Sequence, residues 1–335
     1  MIKKNKKNRD IRIEVVTTDI ADLAMMGFGS IENCRSVGDA LRDCYPYVDL
    51  CVIHTAHDLE ALAARRPDLV VAGIKYLIFT DGPVTKCEPE KIWLSEFLDN
   101  QGIRYTGSNR PAIELDFNKK MAKEKMQAGH IGTADFFIAE PGQYADGAAL
   151  PVPFPLFIKP LYESDSKGVD ADSIVTDFAG YQRKVDRLDA AFHQPAMVEA
   201  YLSGREYTVA ILDSDTPEQP TVMPVELVAD SFRRDAYIGY ETKKTNQERL
   251  LPVDQDPSYA GIVDLARTAF QVLGARDFGR IDIKMDSQGR PHFLEANLLP
   301  GMNRRHSYFP IACAMNKNWT YEQVVHQMVD LALLH

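Results

Sequence analysis

Residues 280–297 read RIDIKMDSQGRPHFLEAN. Asp286-Ser287-Gln288-Gly289 is a turn signal with apolar alternation on either side, so the segment is predicted to fold as a β-hairpin. Closing a regular ladder across that turn pairs Asp282 with Phe293 and Arg280 with Glu295, and a bulge would shift this register. Alternation puts Arg280, Asp282, Glu295 and Asn297 on one face and Ile281, Ile283, Leu294 and Ala296 on the other. An arginine, two carboxylates and an amide on one strand face are costly to bury unless something binds there. The oxygen donors of Asp282, Glu295 and Asn297 suit Mg²⁺ carrying nucleotide phosphates. The alternative is a surface salt-bridge face, for which the abrupt ending EANLLPGM, 295–302, is unusual.

Working outward, the first hundred residues alternate buried strands (11–16, 48–54, 69–75) with helices (37–43, 58–65, 92–100). Such alternation implies a parallel sheet covered on both faces, with ligands at the carboxyl ends of its strands. This gives a first domain at 1–108. Between 109 and 199 the pattern changes. A Lys-rich helix, 118–129, is followed by a Pro-punctuated strand, 156–158, ending at Lys159, and by an aperiodic loop, 162–170. Strands at 197–201 and 206–212 surround a Ser-Gly turn. The last domain, 200–335, adds further strands, a polar loop (232–247), a helix (259–273), the hairpin and a closing helix (321–333). The fold class is α/β.

The chain has 335 residues, 45% of them apolar, enough for two or three cores. No apolar run approaches the length of about 18 residues that a membrane span needs. The basic start, MIKKNKKNRD, reads as a solvated tail rather than a targeting segment. A net charge of −10 with mixed signs argues against nucleic acid as the partner, though not against a nucleotide. Cys34, Cys44, Cys51, Cys87 and Cys313 are scattered and odd in number. They read as reduced thiols of a cytoplasmic protein. His54 and His57 lack a third ligand at a plausible spacing and read as surface histidines.

GRIDIK at 279–284 and FLEANLLPGM at 293–302 resemble the signature of the D-alanine:D-alanine ligases, a family of the ATP-grasp superfamily. YTGS (105–108), LDFNK (115–119), FPLFIKP (154–160), residues 198–212 with their SGRE turn, and YETK (240–243) follow the same order. The matches span about residues 100–310, and the first hundred residues match only loosely. The resemblance implies an ATP-grasp fold: an N-terminal parallel α/β domain plus two α+β subdomains clamping ATP. It implies a carboxylate–amine ligase working through an acyl phosphate on amino-acid or peptide substrates, with a homodimer compatible with it. Carried over by position, Lys119 and Lys159 hold ATP phosphates. Glu199, Tyr201 and Leu202 form the adenine hinge, and Glu206 binds ribose. Lys243 lies on a loop over the γ-phosphate. Asp282, Glu295 and Asn297 bind two Mg²⁺ ions, with Mn²⁺ as a substitute. Arg280 and the Gly301 N–H stabilise an oxyanion, a role suited to glycine because its backbone can approach reacting atoms.

Glu32, after Gly29-Ser30-Ile31, matches the family's glutamate for the first substrate's ammonium. Its plainer reading is a helix start capped by Ser30 or Asn33. Departures from the family cluster around the substrates. Ser164 and Asp165 replace Gly-Ser on the phosphate loop, where Gly168 stays in register. Lys244 falls where a Tyr is expected, and Lys75 stands near the place of a His. Arg304 and Arg305 follow Gly301, and with Lys75 they are cations that could receive an extra substrate carboxylate; His306 could also reach substrate. These changes predict a product other than D-alanyl-D-alanine. Two rival readings remain. Gly27-Phe28-Gly29, with Asp49 downstream, is half of a dinucleotide fingerprint for an NAD-dependent oxidoreductase, but Glu32 stands at its third glycine. A non-catalytic nucleotide-binding protein could share the fold, yet Arg280 and all three metal ligands are retained.

Overall fold

The computed structural model describes residues 10–21, 23, 26–79, 91–163, 167–214, 220–229 and 248–335. Strand β1 (Arg12–Thr17) lies between β2 (Tyr47–Val52) and β3 (Leu69–Ala72), parallel to both. Helices α1 (Ile31–Arg42) and α2 (Ala56–Arg65) provide the crossovers. Both start where a hydroxyl caps the first turn. Ser30 accepts from Asn33 N–H, and Thr55 forms a reciprocal capping box with Asp58. The predicted parallel α/β unit is therefore present. The stretch predicted as a helix from residue 92 instead begins as a short strand, β5 (Lys91–Trp93), paired with β4 (Tyr76–Ile78). Helix α3 (Leu94–Gln101) follows it and ends at Gly102 with φ +62°.

Helices α4 (Arg110–Phe117) and α5 (Lys119–Ala128) are capped by Asn109 and Asn118. The next sheet has the order β6-β9-β7-β8, formed by β6 (Phe136–Ala139), β7 (Leu156–Pro160), β8 (Ile174–Val175) and β9 (Ala196–Ala200). Helix α6 (Phe178–Phe192) covers it through Tyr181, Val185 and Leu188. The third unit is a five-stranded antiparallel sheet, β12-β11-β10-β13-β14. Its strands are β10 (Glu206–Leu212), β11 (Thr221–Ala229), β12 (Glu248–Pro252), β13 (Phe278–Met285) and β14 (Pro291–Asn297). Helix α7 (Tyr259–Leu273) packs on one side of it. Helices α8 (Tyr308–Lys317) and α9 (Tyr321–Ala332) join its other side to the N-terminal sheet in one core. No helix among the described residues is long and apolar enough to cross a membrane.

Two features of the packing position the site. Packing does not respect a boundary at residue 109: Ala112, Ile113, Leu115, Ala122 and Met126 of α4 and α5 belong to the core of the five-stranded sheet. Their apolar face is matched to that sheet, while the four-stranded sheet keeps its own core from Phe137 onward. The hairpin register also differs from the regular one. Ile283 pairs with Phe293, the register then shifts, and Asp282 pairs with Glu295 and Arg280 with Asn297. Leu294 is thus the extra residue of a bulge. A regular ladder would put Phe293 on the same face as Glu295. The bulge breaks the period, so Phe293 is fully buried among Ile281, Ile283 and Phe270 while Glu295 stays with Asp282.

Candidate active site

The polar face predicted from the hairpin exists. Arg280 grips Asp282 with both arms of its guanidinium, Nε to Oδ1 at 3.0 Å and Nη2 to Oδ2 at 2.8 Å. Asn297 Nδ2 donates to Asp282 Oδ2 at 3.4 Å. From the neighbouring strand, Thr208 Oγ1 donates to Asp282 Oδ1 at 2.7 Å. Burial alone would lower the Arg280 pKa. Asp282 and Glu295 outweigh burial and raise it, so the guanidinium stays charged. Its plane also lies over the Tyr308 ring, 5.3 Å to the centroid, and Tyr308 donates its hydroxyl to Glu248 Oε1 at 2.7 Å. Glu206 is on the same sheet face, opposite Lys284, and accepts from its ammonium at 2.9 Å.

The lysines come from two other elements. Lys119, the first residue of α5, donates to the carbonyl of Glu163, beyond β7. Lys159, in β7, is 2.7 Å from Glu199 Oε2, and Lys123 of α5 is 2.6 Å from Glu199 Oε1. All of Lys123, Lys159 and Glu199 are buried. Burial pulls Lys119 and Lys123 below the usual lysine value. Lys159 lies above it, because Glu199 and Glu295 outweigh burial. Glu199, which burial alone would push up, is held at about 2 by the two ammoniums. Glu295 acts electrostatically on both Lys119 and Lys159, so the polar face of the hairpin and these lysines share one field.

The side chain of Glu199 is committed to the lysines, and only its backbone is left for the expected hinge. Glu199 sits inside β9, with Phe136 and Phe157 opposite it on the flanking strands, and its carboxylate joins the two lysines. Tyr201 and Leu202 follow the strand end, where Tyr201 N–H donates to the Pro155 carbonyl.

The N-terminal domain reaches the site through a backbone chain. Gly73 N–H donates to Val16 O, Phe28 N–H to Gly73 O, and Met302 N–H to Phe28 O. A Cβ at Gly27 would lie 2.1 Å from Gly73 O. That glycine serves close backbone packing, which accounts for the first glycine of the dinucleotide fingerprint without a nucleotide. Gly301 is similarly confined: a Cβ there would meet Ser307 Oγ at 2.8 Å, and that oxygen accepts from Asn303 N–H at 2.8 Å. Asn303 Nδ2 donates to Asn33 Oδ1 at 3.2 Å, bringing the start of α1 beside the Gly301 loop. Ser30 is the cap, and Glu32 in the first turn is 74% exposed and 2.6 Å from Arg35.

Two of the cations expected to receive an extra substrate carboxylate are already engaged. Lys75 is buried at 2.8 Å from Asp116, whose other oxygen accepts from Leu298 N–H at 2.7 Å. Arg304 lies over Tyr321 and is 2.5 Å from Glu322, while Arg305 is exposed. His306 is exposed, and its backbone N–H donates to Asn303 Oδ1. His54 and His57 are exposed and sit near Asp19 and Glu60 respectively. No cluster of three His, Cys, Asp or Glu suited to a metal occurs among the described residues. Lys243, Lys244, Ser164 and Asp165 lie outside the described residues. Sequence reasoning missed Thr208, Lys123 and Asp116. Thr208 was within reach, since it stands two residues beyond Glu206 on the same strand face.

The family model of the D-ala D-ala ligase C-terminus matches residues 138–330. The D-alanine–D-alanine ligase of Chromohalobacter salexigens is 30% identical over 274 residues, covering 81% of this chain and 80% of that protein. Its counterpart in Ralstonia nicotianae is 31% identical over 239 residues, 71% and 70% of the two chains. Among solved structures, D-alanine–D-alanine ligase from Bacillus anthracis complexed with ATP superposes with a TM-score of 0.72 at 20% identity. That superposition covers 96% of this chain and 97% of the other, which establishes the ATP-grasp fold over nearly its whole length. The oxidoreductase reading has no support in these relationships. With the matched model covering more than half of the sequence, the chain belongs to the D-alanine–D-alanine ligase family and is an ATP-dependent ligase that forms a carbon–nitrogen bond.

Proposed function

We propose that this enzyme joins two amino-acid or peptide substrates through an acyl phosphate, and that its preferred product is not D-alanyl-D-alanine. The observation that carries the mechanism is the convergence of Arg280–Asp282, Glu295, Lys119 and Lys159 in one electrostatic field. Lys119 and Lys159 bind the ATP phosphates, the backbone of Glu199, Tyr201 and Leu202 frames adenine, and Glu206 meets ribose. Asp282, Glu295 and Asn297 form an all-oxygen donor set, the chemistry a hard divalent cation requires. When bound there, Mg²⁺ supplies charge neutralisation along the phosphates.

The first substrate's carboxylate attacks the γ-phosphorus of ATP, giving the acyl phosphate and ADP. The second substrate's amine then attacks the acyl carbon and loses a proton, and inorganic phosphate leaves. Positioning and charge stabilisation by the lysines carry the first step. Arg280 and the Gly301 N–H receive the oxyanion of the second. Asp282 keeps the Arg280 fork aligned, and Ser307 fixes the Gly301 turn.

Two departures from the family's sequence set the substrate choice, Asp165 and Lys244 in place of hydroxyls, together with Glu32, which keeps the family's glutamate but pairs with Arg35. These alter the charge offered to a small zwitterion. An ATP-dependent phosphate-release screen over paired D- and L-amino acids, hydroxy acids and dipeptides tests the reading. If D-alanine in both positions gives the highest kcat/KM of the panel, the substrate proposal is wrong. If no pair releases phosphate, the ligase mechanism proposed here fails with it.

A further inference from the structure

Lys123 has no part in the chemistry above, yet it is fully buried at its centre. It lies one turn beyond Lys119 on the same face of α5. Its ammonium is 2.6 Å from Glu199 Oε1 and donates to Thr133 Oγ1 at 2.7 Å. Thr133 Oγ1 donates to the Phe293 carbonyl at 3.0 Å, and Phe293 N–H donates to the Gly132 carbonyl at 2.8 Å. Phe293 immediately precedes the bulge that delivers Glu295. Helix α5 packs on the five-stranded sheet, whereas Glu199 and Lys159 belong to the four-stranded one. The Lys123–Glu199 pair therefore joins the two halves between which the nucleotide lysines stand.

The charge count makes this pair more than a brace. Lys159 and Glu199 alone would form a closed, neutral buried pair, which leaves little attraction for an anion. A second ammonium on the same carboxylate leaves the group one positive charge in excess. An excess cation away from water is costly unless an anion arrives to meet it.

We propose that Lys123 is a positioning residue for the nucleotide: it takes up the charge of Glu199, so that Lys159 is held in place by that carboxylate without being neutralised by it. Through Thr133 it also registers β9 against the bulged strand that carries Glu295. The inference rests on Lys159 meeting ATP phosphates, as proposed above.

The test is ATP and ADP binding to the full chain by calorimetry, with Mg²⁺ and without any amino acid, so substrate identity does not enter. Lys123→Met is expected to weaken ATP at least about tenfold, and in turnover assays to raise KM for ATP while kcat at saturation stays within about threefold. Lys123→Arg should restore most of the affinity. Lys123→Gln keeps a polar group beside Glu199 and Thr133 but carries no charge, and it should lose ATP affinity as Lys123→Met does. A residue of purely structural importance predicts the opposite, because the polar contacts are kept. Should Lys123→Met fail to fold, Lys123→Gln decides alone: an ATP affinity within about threefold of the wild type overturns the proposal. Unchanged ATP affinity in a folded Lys123→Met also overturns it. Absence of ATP binding by the wild type would instead sink the mechanism on which it rests.

Discussion

Asp282 and Glu295 stand directly opposite each other across the β13–β14 ladder, although Phe293, two residues before Glu295, packs into the core on the other face. The extruded Leu294 makes both placements compatible. The site's two carboxylates therefore depend on a backbone irregularity as much as on their own identities.

Glu295→Gln keeps the shape of the side chain and removes its charge. Nucleotide affinity should fall modestly and turnover steeply, because Glu295 also acts on Lys119 and Lys159. Turnover near that of the wild type at saturating Mg²⁺ and ATP would count against its assignment as a metal ligand.

Arg280→Lys retains a cation but loses the planar fork that meets both oxygens of Asp282. ATP binding should survive, while turnover falls about 10²-fold or more, as for removal of an oxyanion donor. Loss of ATP affinity with turnover intact at saturation would make Arg280 a phosphate residue instead.

Thr208→Val removes the hydroxyl that donates to Asp282 Oδ1 and preserves the volume of the side chain. Groups that orient a metal-binding carboxylate commonly change metal affinity by about ten- to a hundredfold. The Mg²⁺ concentration for half-maximal turnover should rise accordingly, with the melting temperature little changed. An unaltered Mg²⁺ dependence would show that Asp282 needs no such support.

Glu199 governs stability in acid. Its folded pKa of about 2 lies below its ordinary value of 4.5, through Lys123 and Lys159 and against its burial. A depressed carboxylate stabilises the fold fully above its ordinary value, and that contribution disappears as pH falls through the folded value. Urea midpoints of the wild type should therefore decline between about pH 4.5 and 2. Glu199→Gln should be less stable at neutral pH, by about 3–5 kcal/mol if it behaves like other broken buried pairs, and flatter across the acid window. Equal slopes for the two proteins would contradict the assignment.

The sequence by itself determined the elements and the gathering of the polar face. The turn at 286–289, the 259–273 helix and the β10 strand at 206–212 follow from local periodicity and punctuation, and the structure shows them at those positions. Arg280, Asp282, Glu295 and Asn297 fall together because alternation is a property of one or two strands. The spacing of GRIDIK and FLEANLLPGM carried the family in the same way, since it records positions along the chain. Tertiary structure decided the partners. Nothing near Lys75 shows that Asp116, 41 residues away, will bury its charge and remove it from the pocket. Nothing near Glu199 shows that ammoniums from α5 and β7 will meet on its carboxylate. The bulge at Leu294 likewise answers to the core that Phe293 must fill. Local pattern fixes which way a side chain faces. The charge or apolar surface it meets there is set by burial among distant segments, because a buried ion must be paired and a buried ring packed by whatever the fold brings to it.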